Sequence, residues 1–324
     1  MSILLYLSHV GSFPLEYSEA NLKRAFLNMI KAGLEYPPYP QLRDFIDIYL
    51  DPLVRDGALV REENKYILID EGKIGVKTPI IPEALMISQL AKYQGGRIMG
   101  LRAPVTGPFT LASKIYLSRE TYTLENTLLA KSAIIVERLA TYVNKVVRWL
   151  SGLGYRLIVI DEPILSTIVG AKHILYGISE DDIISAYGRI FNGVSSIAGT
   201  HVCGRISRRL AEILLETNVK ILDHEHVDTP SNLEVYTLND LETYDKYIAL
   251  GVVSSKKPGV EPVPQIVNFI LNALGRYGDR VFLVKGDCGF RGLAAYEHGY
   301  EIGIAKLKAV RKAVNIVKKE IFGY

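Results

Sequence analysis

Short apolar runs alternate with longer stretches of helical periodicity along the whole chain of 324 residues. The runs are rich in Ile, Val and Leu, which is typical of strands that are buried on both faces. We predict strands over 3–7, 97–101, 156–160, 196–200, 219–222, 247–253 and 280–284. Two further runs at 66–69 and 74–76, around Asp70-Glu71-Gly72, predict a hairpin outside this series.

The segments between the strands are predicted to be helices. They cover 18–32, 42–49, 82–93, 124–150, 181–191, 207–216, 238–244, 262–277 and 294–321, and Ser18 and Ser179 are predicted N-caps. Strands followed by helices, seven or eight times over, predict an α/β fold with a parallel sheet. Eight such units in this length favour a single (β/α)8 TIM barrel spanning 1–324 over an open sheet. No Gly-x-Gly-x-x-Gly loop follows a strand, which argues against a dinucleotide site.

Polar residues collect directly after the predicted strands. They lie in the segments 9–12, 104–108, 161–163, 201–204, 223–226, 254–257 and 286–289. Since the strands of a parallel barrel all end on the same face, these segments are expected to meet at one mouth. Both cysteines, Cys203 and Cys288, belong to this set.

Four of these residues suit a metal ion. His201 and Cys203 lie two residues apart at a strand end, so their side chains point the same way, and Glu225 and Cys288 lie at later strand ends. One imidazole nitrogen, two thiolates and one carboxylate oxygen suit tetrahedral Zn²⁺. A core histidine beside a core cysteine remains the alternative for His201 and Cys203 alone. His224 and His226 are predicted to be core or supporting residues rather than ligands.

Composition and charge exclude several classes of protein. A hydrophobic fraction of 48% with 23% charged residues predicts a folded globular chain rather than a disordered one. No apolar run reaches a membrane-spanning length, and a net charge of +3 is too small to favour nucleic acid. With two cysteines and no signal-peptide pattern at its start, the protein is expected to lie in the cytoplasm with reduced thiols.

Several short motifs together resemble a known family. They are Val10-Gly11-Ser12-Phe13-Pro14, Thr106-Gly107-Pro108-Phe109-Thr110, Ile160-Asp161-Glu162-Pro163, His201-x-Cys203, Glu225 and Asp287-Cys288-Gly289, in this order. The set resembles the C-terminal catalytic half of cobalamin-independent methionine synthase, in its compact single-domain archaeal-type form. The resemblance implies a (β/α)8 barrel that binds zinc and homocysteine. The implied ligands of zinc are His201, Cys203, Glu225 and Cys288, and the implied contacts of homocysteine are Val10, Gly11, Ser12 and Asp161.

The chemistry of these residues agrees with that implication. Backbone N–H groups at Gly11 and Ser12 suit a substrate carboxylate, and Asp161 suits an ammonium group. Taken alone, 161–163 is more typical of a helix-capping turn than of a binding site. A zinc ion would deprotonate a substrate thiol, which is otherwise a poor nucleophile at neutral pH.

Two positions depart from the family pattern. Thr167 stands where the family has an acidic residue for the pterin, and Lys256 stands where it has a proton-donating histidine. A lysine could donate that proton only if burial lowered its pKa. Both departures favour a methylated corrinoid as donor, which makes a corrinoid protein a candidate partner.

We therefore expect a zinc-dependent S-methyltransferase that makes methionine from homocysteine, with Lys256 and Asp161 as its catalytic residues. The alternatives are a methyltransferase for another small thiol, a subunit of a split folate-dependent synthase, and a catalytically silent zinc-binding paralogue. Neither nucleic acid nor a membrane is expected as a partner.

Overall fold

Seven parallel strands form one curved sheet in the computed structural model, which describes residues 5–96 and 98–323. In chain order the strands are β1 (Tyr6–Leu7), β2 (Leu59–Glu62), β3 (Lys65–Leu68), β4 (Leu101–Thr106), β5 (Ile115–Tyr116), β6 (Tyr155–Asp161), β7 (Ile197–Val202), β8 (Ile221–His224), β9 (Tyr247–Val253) and β10 (Val281–Gly286). The main sheet has the order β1-β10-β9-β8-β7-β6-β4, and β2, β3 and β5 form a separate small sheet. The predicted α/β class with a parallel sheet is confirmed.

Helices connect the strands of the main sheet. They are α1 (Glu19–Lys31), α2 (Asp47–Arg55), α3 (Pro82–Ala91), α4 (Pro108–Ala112), α5 (Ser132–Ile134), α6 (Ala140–Gly152), α7 (Leu165–Ile168), α8 (Glu180–Ile190), α9 (Arg208–Glu216), α10 (Leu238–Thr243), α11 (Val263–Tyr277) and α12 (Gly299–Phe322). The predicted N-caps Ser18 and Ser179 both accept a backbone N–H bond. None of the helices in the described ranges has an apolar stretch long enough to cross a bilayer.

The two edges of the main sheet are joined by a proline-rich segment, 36–41. Single parallel bridges link Tyr36 to Ser8 beyond β1 and Pro38 to Arg102 on β4. Prolines at 37, 38 and 40 have no N–H to donate, so a continuous ladder cannot form. Within the described residues the sheet therefore has seven strands, and an eighth strand of the predicted barrel is not formed.

The strand predicted at 97–101 is wrong, because β4 begins at Leu101 and runs to Thr106. Arg102 and Pro104 made this stretch unlike a buried strand, yet all six of its residues are buried. Arg102 is tolerated there because it pairs with Asp223 at 2.8 Å. Arg97 lies outside the described residues, as do the first residues of the strand predicted at 3–7.

Three other predictions need correction. The hairpin is β2–β3, whose turn at Glu63 and Asn64 has positive φ at both residues, as tight hairpin turns require. Asp70-Glu71-Gly72 instead begins a short 3-10 turn. The single helix predicted over 124–150 is divided into 3-10 turns, α5, a π-helical stretch over Ile135–Leu139 and α6. The helix predicted at 42–49 begins later, as α2.

Candidate functional site

Strand alternation points the polar residues into the interior of the curved sheet. Leu157 and Val159 on β6 belong to an apolar cluster with Ile221 on β8 and Leu283 on β10. Because side chains two residues apart share a face, Asp161, Asp223 and Lys285 lie on that same inner face, closer to the carboxyl ends of the strands. His201 pairs in register with Asp161 on one side and Asp223 on the other.

His201, Cys203 and Cys288 form a compact group of donor atoms. Nε2 of His201 lies 2.9 Å from Sγ of Cys203, and the two sulfur atoms are 3.2 Å apart. The three donor atoms all lie within 4.8 Å of one another, and both cysteines are free. One nitrogen and two sulfur donors at this spacing fit a zinc ion. We call these three residues the donor cluster.

Glu225 lies in the same cavity but outside the donor cluster. Its side chain is buried, and Oε2 accepts a hydrogen bond from Thr229 Oγ1 at 3.1 Å. Oε2 also lies 3.2 Å from Nζ of Lys256. The structure thus brings three of the four predicted metal ligands together and pairs the fourth with a lysine.

A buried charge network supports the donor cluster from below. Oδ1 of Asp223 accepts from Nδ1 of His201 at 2.7 Å and lies 2.7 Å from Nζ of Lys285, while Oδ2 accepts from Arg102 at 2.8 Å. All four side chains are buried. The hydrogen bond between Nδ1 of His201 and Asp223 leaves Nε2 of His201 to face the two sulfur atoms. From the sequence, Asp223 was placed in the polar segment 223–226 without a role, and Arg102 and Lys285 were missed.

The charges of the network also set the ionisation of the cluster. Burial lowers the pKa of His201, but the charge and hydrogen bond of Asp223, together with those of Cys288, more than offset this and raise the pKa to about 10. The hydrogen bond between the two thiols lowers the pKa of Cys288, and it raises that of Cys203. A metal ion would therefore have to displace protons from His201 and Cys203.

A cavity of about 610 Å³ opens above the donor cluster. Its walls include every predicted site residue except Gly11, namely Val10, Ser12, Asp161, His201, Cys203, Glu225, Lys256 and Cys288. Gly11 lies between two of these residues with a φ of +135°, a conformation that favours glycine. The cavity therefore unites the candidate metal centre and the candidate substrate contacts.

Two glycines allow the loops of the cavity to pack closely. A Cβ atom at Gly289 would collide with Ser12, and one at Gly107 would collide with Glu162. Glu162 accepts hydrogen bonds from the backbone N–H groups of Phe109 at 2.9 Å and Thr110 at 2.7 Å, at the start of α4. The segment 161–163 does not cap the helix that follows it, because α7 has no side-chain cap. Glu162 instead satisfies N–H groups of α4, which leaves Asp161 available to the cavity.

Asp161 is a buried carboxyl group with an unused oxygen. Among the residues that the structure describes, its Oδ1 has no hydrogen-bond partner, and the residue is 7% exposed. Burial raises the pKa of Asp161 to about 7. An unpaired buried acceptor of this kind suits a cationic ligand that would supply the missing donor.

Lys256 does not meet the condition for a proton donor. Its side chain is 62% exposed. Burial lowers the pKa of Lys256, but the charge and hydrogen bond of Glu225, with smaller contributions from Asp228 and Cys203, outweigh this, so the net pKa is above its usual value. The lysine therefore holds its proton more tightly, which is the opposite of what the predicted role requires.

His224 and His226 are core residues, as the sequence analysis predicted. Both are buried, and neither lines the cavity. His224 stacks on Tyr236, with 5.9 Å between the ring centroids, and burial lowers its pKa to about 4. Nδ1 of His226 accepts from the backbone N–H of Gly251 at 3.2 Å.

Comparisons with known proteins identify relatives of this chain. The family model of the cobalamin-independent synthase catalytic domain matches residues 105–315. A methionine synthase of Methanothermobacter thermautotrophicus is 30% identical over 304 residues, which cover 88% of this chain and 92% of that protein. A methionine synthase of Pyrococcus abyssi is 25% identical over 68% of this chain and 58% of its own length.

Solved structures show the same fold at low sequence identity. A B12-independent methionine synthase from Shewanella sp. W3-18-1, in complex with selenomethionine, superposes with a TM-score of 0.69 at 16% identity, over 99% of this chain and all of that one. A methyltransferase from Methanosarcina mazei gives 0.63 at 17% identity, over 98% and 95% of the two chains. Together with the family model, which spans more than half of the sequence, these matches show that the chain belongs to the cobalamin-independent synthase family, whose catalytic domain it contains.

Proposed function

We propose that this protein is a zinc-dependent S-methyltransferase that converts homocysteine to methionine. The observation that carries the proposal is one cavity that holds both the donor cluster and Asp161, a buried carboxyl group with an unused oxygen. A relative from Methanothermobacter thermautotrophicus bears the name methionine synthase, and the Shewanella structure contains selenomethionine. Both support homocysteine as the acceptor.

The residues proposed to hold zinc are His201, Cys203, Cys288 and Glu225. When bound, zinc would lower the pKa of an incoming thiol so that its sulfur reacts as a thiolate. Asp223 orients the His201 ring through Nδ1. Lys256 balances the charge of Glu225 from the cavity side, and we assign it this role in place of proton donation.

The amino-acid part of the substrate is proposed to bind at Val10–Ser12 and Asp161. Backbone N–H groups of the loop would face the carboxylate, and Asp161 would face the ammonium group. Burial holds the pKa of Asp161 at about 7, so pairing with an ammonium group would favour its ionised form. Asp161 thus fixes the substrate so that its sulfur reaches the donor cluster.

The methyl donor is proposed to be a methylated corrinoid. In the transfer, the substrate sulfur forms a bond to the methyl carbon, the bond between that carbon and cobalt breaks, and its electron pair leaves with cobalt. The thiol proton passes to solvent. This leaving group needs no acid, whereas a tetrahydrofolate amine does. Lys256 has a raised pKa and is therefore a poor acid for a folate leaving group. Thr167 is an exposed, uncharged residue of α7 at the position where the family has an acidic residue for the pterin. Both observations support the corrinoid over folate.

We also propose how the gap between the two edge strands of the main sheet is closed. The segment 36–41 bridges β1 and β4, so we propose that it takes the place of the eighth strand of a closed barrel. One hydrophobic core includes residues from Leu5 to Val317. This continuity supports a single domain over 1–324.

The test supplies zinc-loaded protein with homocysteine and either methylcobalamin or methyltetrahydrofolate, each carrying an isotopically labelled methyl group. We expect labelled methionine with methylcobalamin and none with the folate. Product with folate alone would refute the corrinoid donor. Methylation of a coenzyme thiol but not of homocysteine would refute the substrate. Bound zinc without methylation of any thiol would indicate a silent paralogue.

A further inference from the structure

Lys285 lies in the interior of the main sheet and is surrounded by oxygen atoms. Its side chain has no exposed surface. Nζ lies 2.7 Å from Oδ1 of Asp223 and donates to the backbone carbonyl oxygens of Asp287 at 2.8 Å, Gly286 at 2.9 Å and His224 at 3.2 Å. One ammonium group thus contacts both β8 and the end of β10.

These oxygen atoms belong to neighbours of the proposed metal ligands. His224 directly precedes Glu225, and Asp287 directly precedes Cys288. Asp223 is the residue that accepts the Nδ1 bond of His201. Lys285 therefore contacts a hydrogen-bond partner or a direct chain neighbour of three of the four proposed ligands, which lie in β7 and just after β8 and β10.

We infer that Lys285 is a positioning residue that holds His201, Glu225 and Cys288 at the mutual distances a metal ion needs. The inference rests on the proposed zinc site, and it goes beyond that site by assigning its geometry to one buried cation. Burying an ammonium group is costly unless it is fully paired, and Leu283, two residues earlier on the same face, is apolar. The ammonium group of Lys285 lies where it contacts the strands that precede Glu225 and Cys288.

Replacing Lys285 would remove its contacts to β8 and β10 and leave the other contacts of Asp223 in place. Asp223 would keep its bond from Arg102 at 2.8 Å, so the carboxylate would not be left without a cation. His201 would keep its partner on Nδ1 as well. A Lys285→Met variant therefore removes chiefly the tie between the backbone ends of β8 and β10.

The chain offers a matched control at the opposite ends of the strands. Lys246 is also buried, and its Nζ donates to the backbone carbonyl oxygens of Thr217 at 2.6 Å and Val219 at 2.7 Å. These residues precede β8, and Lys246 itself directly precedes β9. Lys246→Met thus removes a comparable buried lysine without touching any neighbour of a proposed ligand.

The experiment measures the zinc dissociation constant of each variant by competition with a chromophoric chelator, together with the absorption spectrum of the cobalt-substituted protein. We expect Lys285→Met to weaken zinc binding roughly 10- to 100-fold and to change the cobalt bands. Lys246→Met should stay within about threefold of the unchanged protein, since distant sites rarely couple. If Lys285→Met does not fold, Lys285→Gln, which keeps two donors, should give a smaller loss in the same direction.

The possible outcomes distinguish the positioning role of Lys285 from the proposed zinc site. Equal zinc affinity and equal cobalt spectra in the Lys285 and Lys246 variants would overturn the positioning role and leave the zinc site intact. Failure of the unchanged protein to bind zinc or cobalt through sulfur would instead overturn the proposed function itself.

Discussion

The two halves of the cavity differ in how their polar groups are satisfied. In the donor half, His201 is held by Asp223, and Asp223 is held in turn by Arg102 and Lys285. In the open half, which consists of Val10–Ser12 and Asp161, Oδ1 of Asp161 has no partner among the described residues. The donor half is thus fixed in advance, while the open half leaves a buried group for a ligand to satisfy.

This difference follows from what each half must bind. A metal site needs its ligands held by supporting hydrogen bonds, because small displacements weaken coordination. A substrate site gains selectivity from a buried polar group that stays unpaired unless the correct ligand enters. Changes in the donor half should therefore alter metal affinity, and changes in the open half should alter substrate affinity.

The largest effect is expected from Cys288→Ser in the donor half. Loss of a thiolate ligand should reduce metal content from about one zinc per chain to a small fraction and abolish methyl transfer. The loss of affinity should exceed the roughly 10- to 100-fold that is typical of a supporting residue. Elemental analysis after dialysis measures the metal content, and retention of a full equivalent would contradict the role of Cys288.

Asp161→Asn should act on the open half alone. Removing the charged partner of the substrate ammonium group should raise KM for homocysteine roughly 10- to 100-fold, as expected for a charged hydrogen bond. Zinc content should not change. A thiol acid without an amino group provides the control, because the variant should handle it as well as the unchanged protein does. An equal penalty for both thiols would show that Asp161 does not contact the ammonium group.

Gly107→Ala tests how the open half is built. The new methyl group would collide with Glu162, beside Asp161, so we expect a loss of about 1–3 kcal/mol in unfolding free energy. Gly188 lies within α8 with nothing near its Cβ position, so Gly188→Ala should be neutral or stabilising by up to about 1 kcal/mol. Denaturant unfolding in excess zinc compares them, and equal stabilities would refute the proposed clash.

The smallest effect is expected from Lys256→Met. An ion pair with a mostly exposed lysine contributes about 0–1 kcal/mol, and a lysine with a raised pKa is a poor acid. The rate with methylcobalamin should fall less than about tenfold. A loss of roughly 100-fold or more at unchanged zinc content would restore Lys256 as the proton donor.

The sequence was sufficient to locate the site because its residues lie at strand ends. The spacing of His201 and Cys203, with Cys288 at a later strand end, predicted donor atoms that meet within 4.8 Å. The predicted substrate residues Ser12 and Asp161 line the same cavity. Parallel topology alone gives this convergence once the strands are placed, even when their bounds are wrong by several residues.

The supporting network could not be predicted in the same way. Arg102 and Asp223 are 121 residues apart, and neither shows from its own neighbourhood in the sequence that it pairs with the other. The same pairing explains why β4 was misplaced, since a local pattern assigns Arg102 to the surface. Glu225 lies outside the donor cluster and pairs with Lys256, a contact that no spacing rule contains.

The central claim is that His201, Cys203, Glu225 and Cys288 bind zinc and bring a substrate thiol to it. Zinc K-edge absorption of the loaded protein, with and without homocysteine, tests this most directly. We predict about two sulfur and two nitrogen or oxygen neighbours without homocysteine, and about three sulfur neighbours with it. A zinc shell without sulfur, or a sulfur count that stays the same at saturating homocysteine, would contradict the claim.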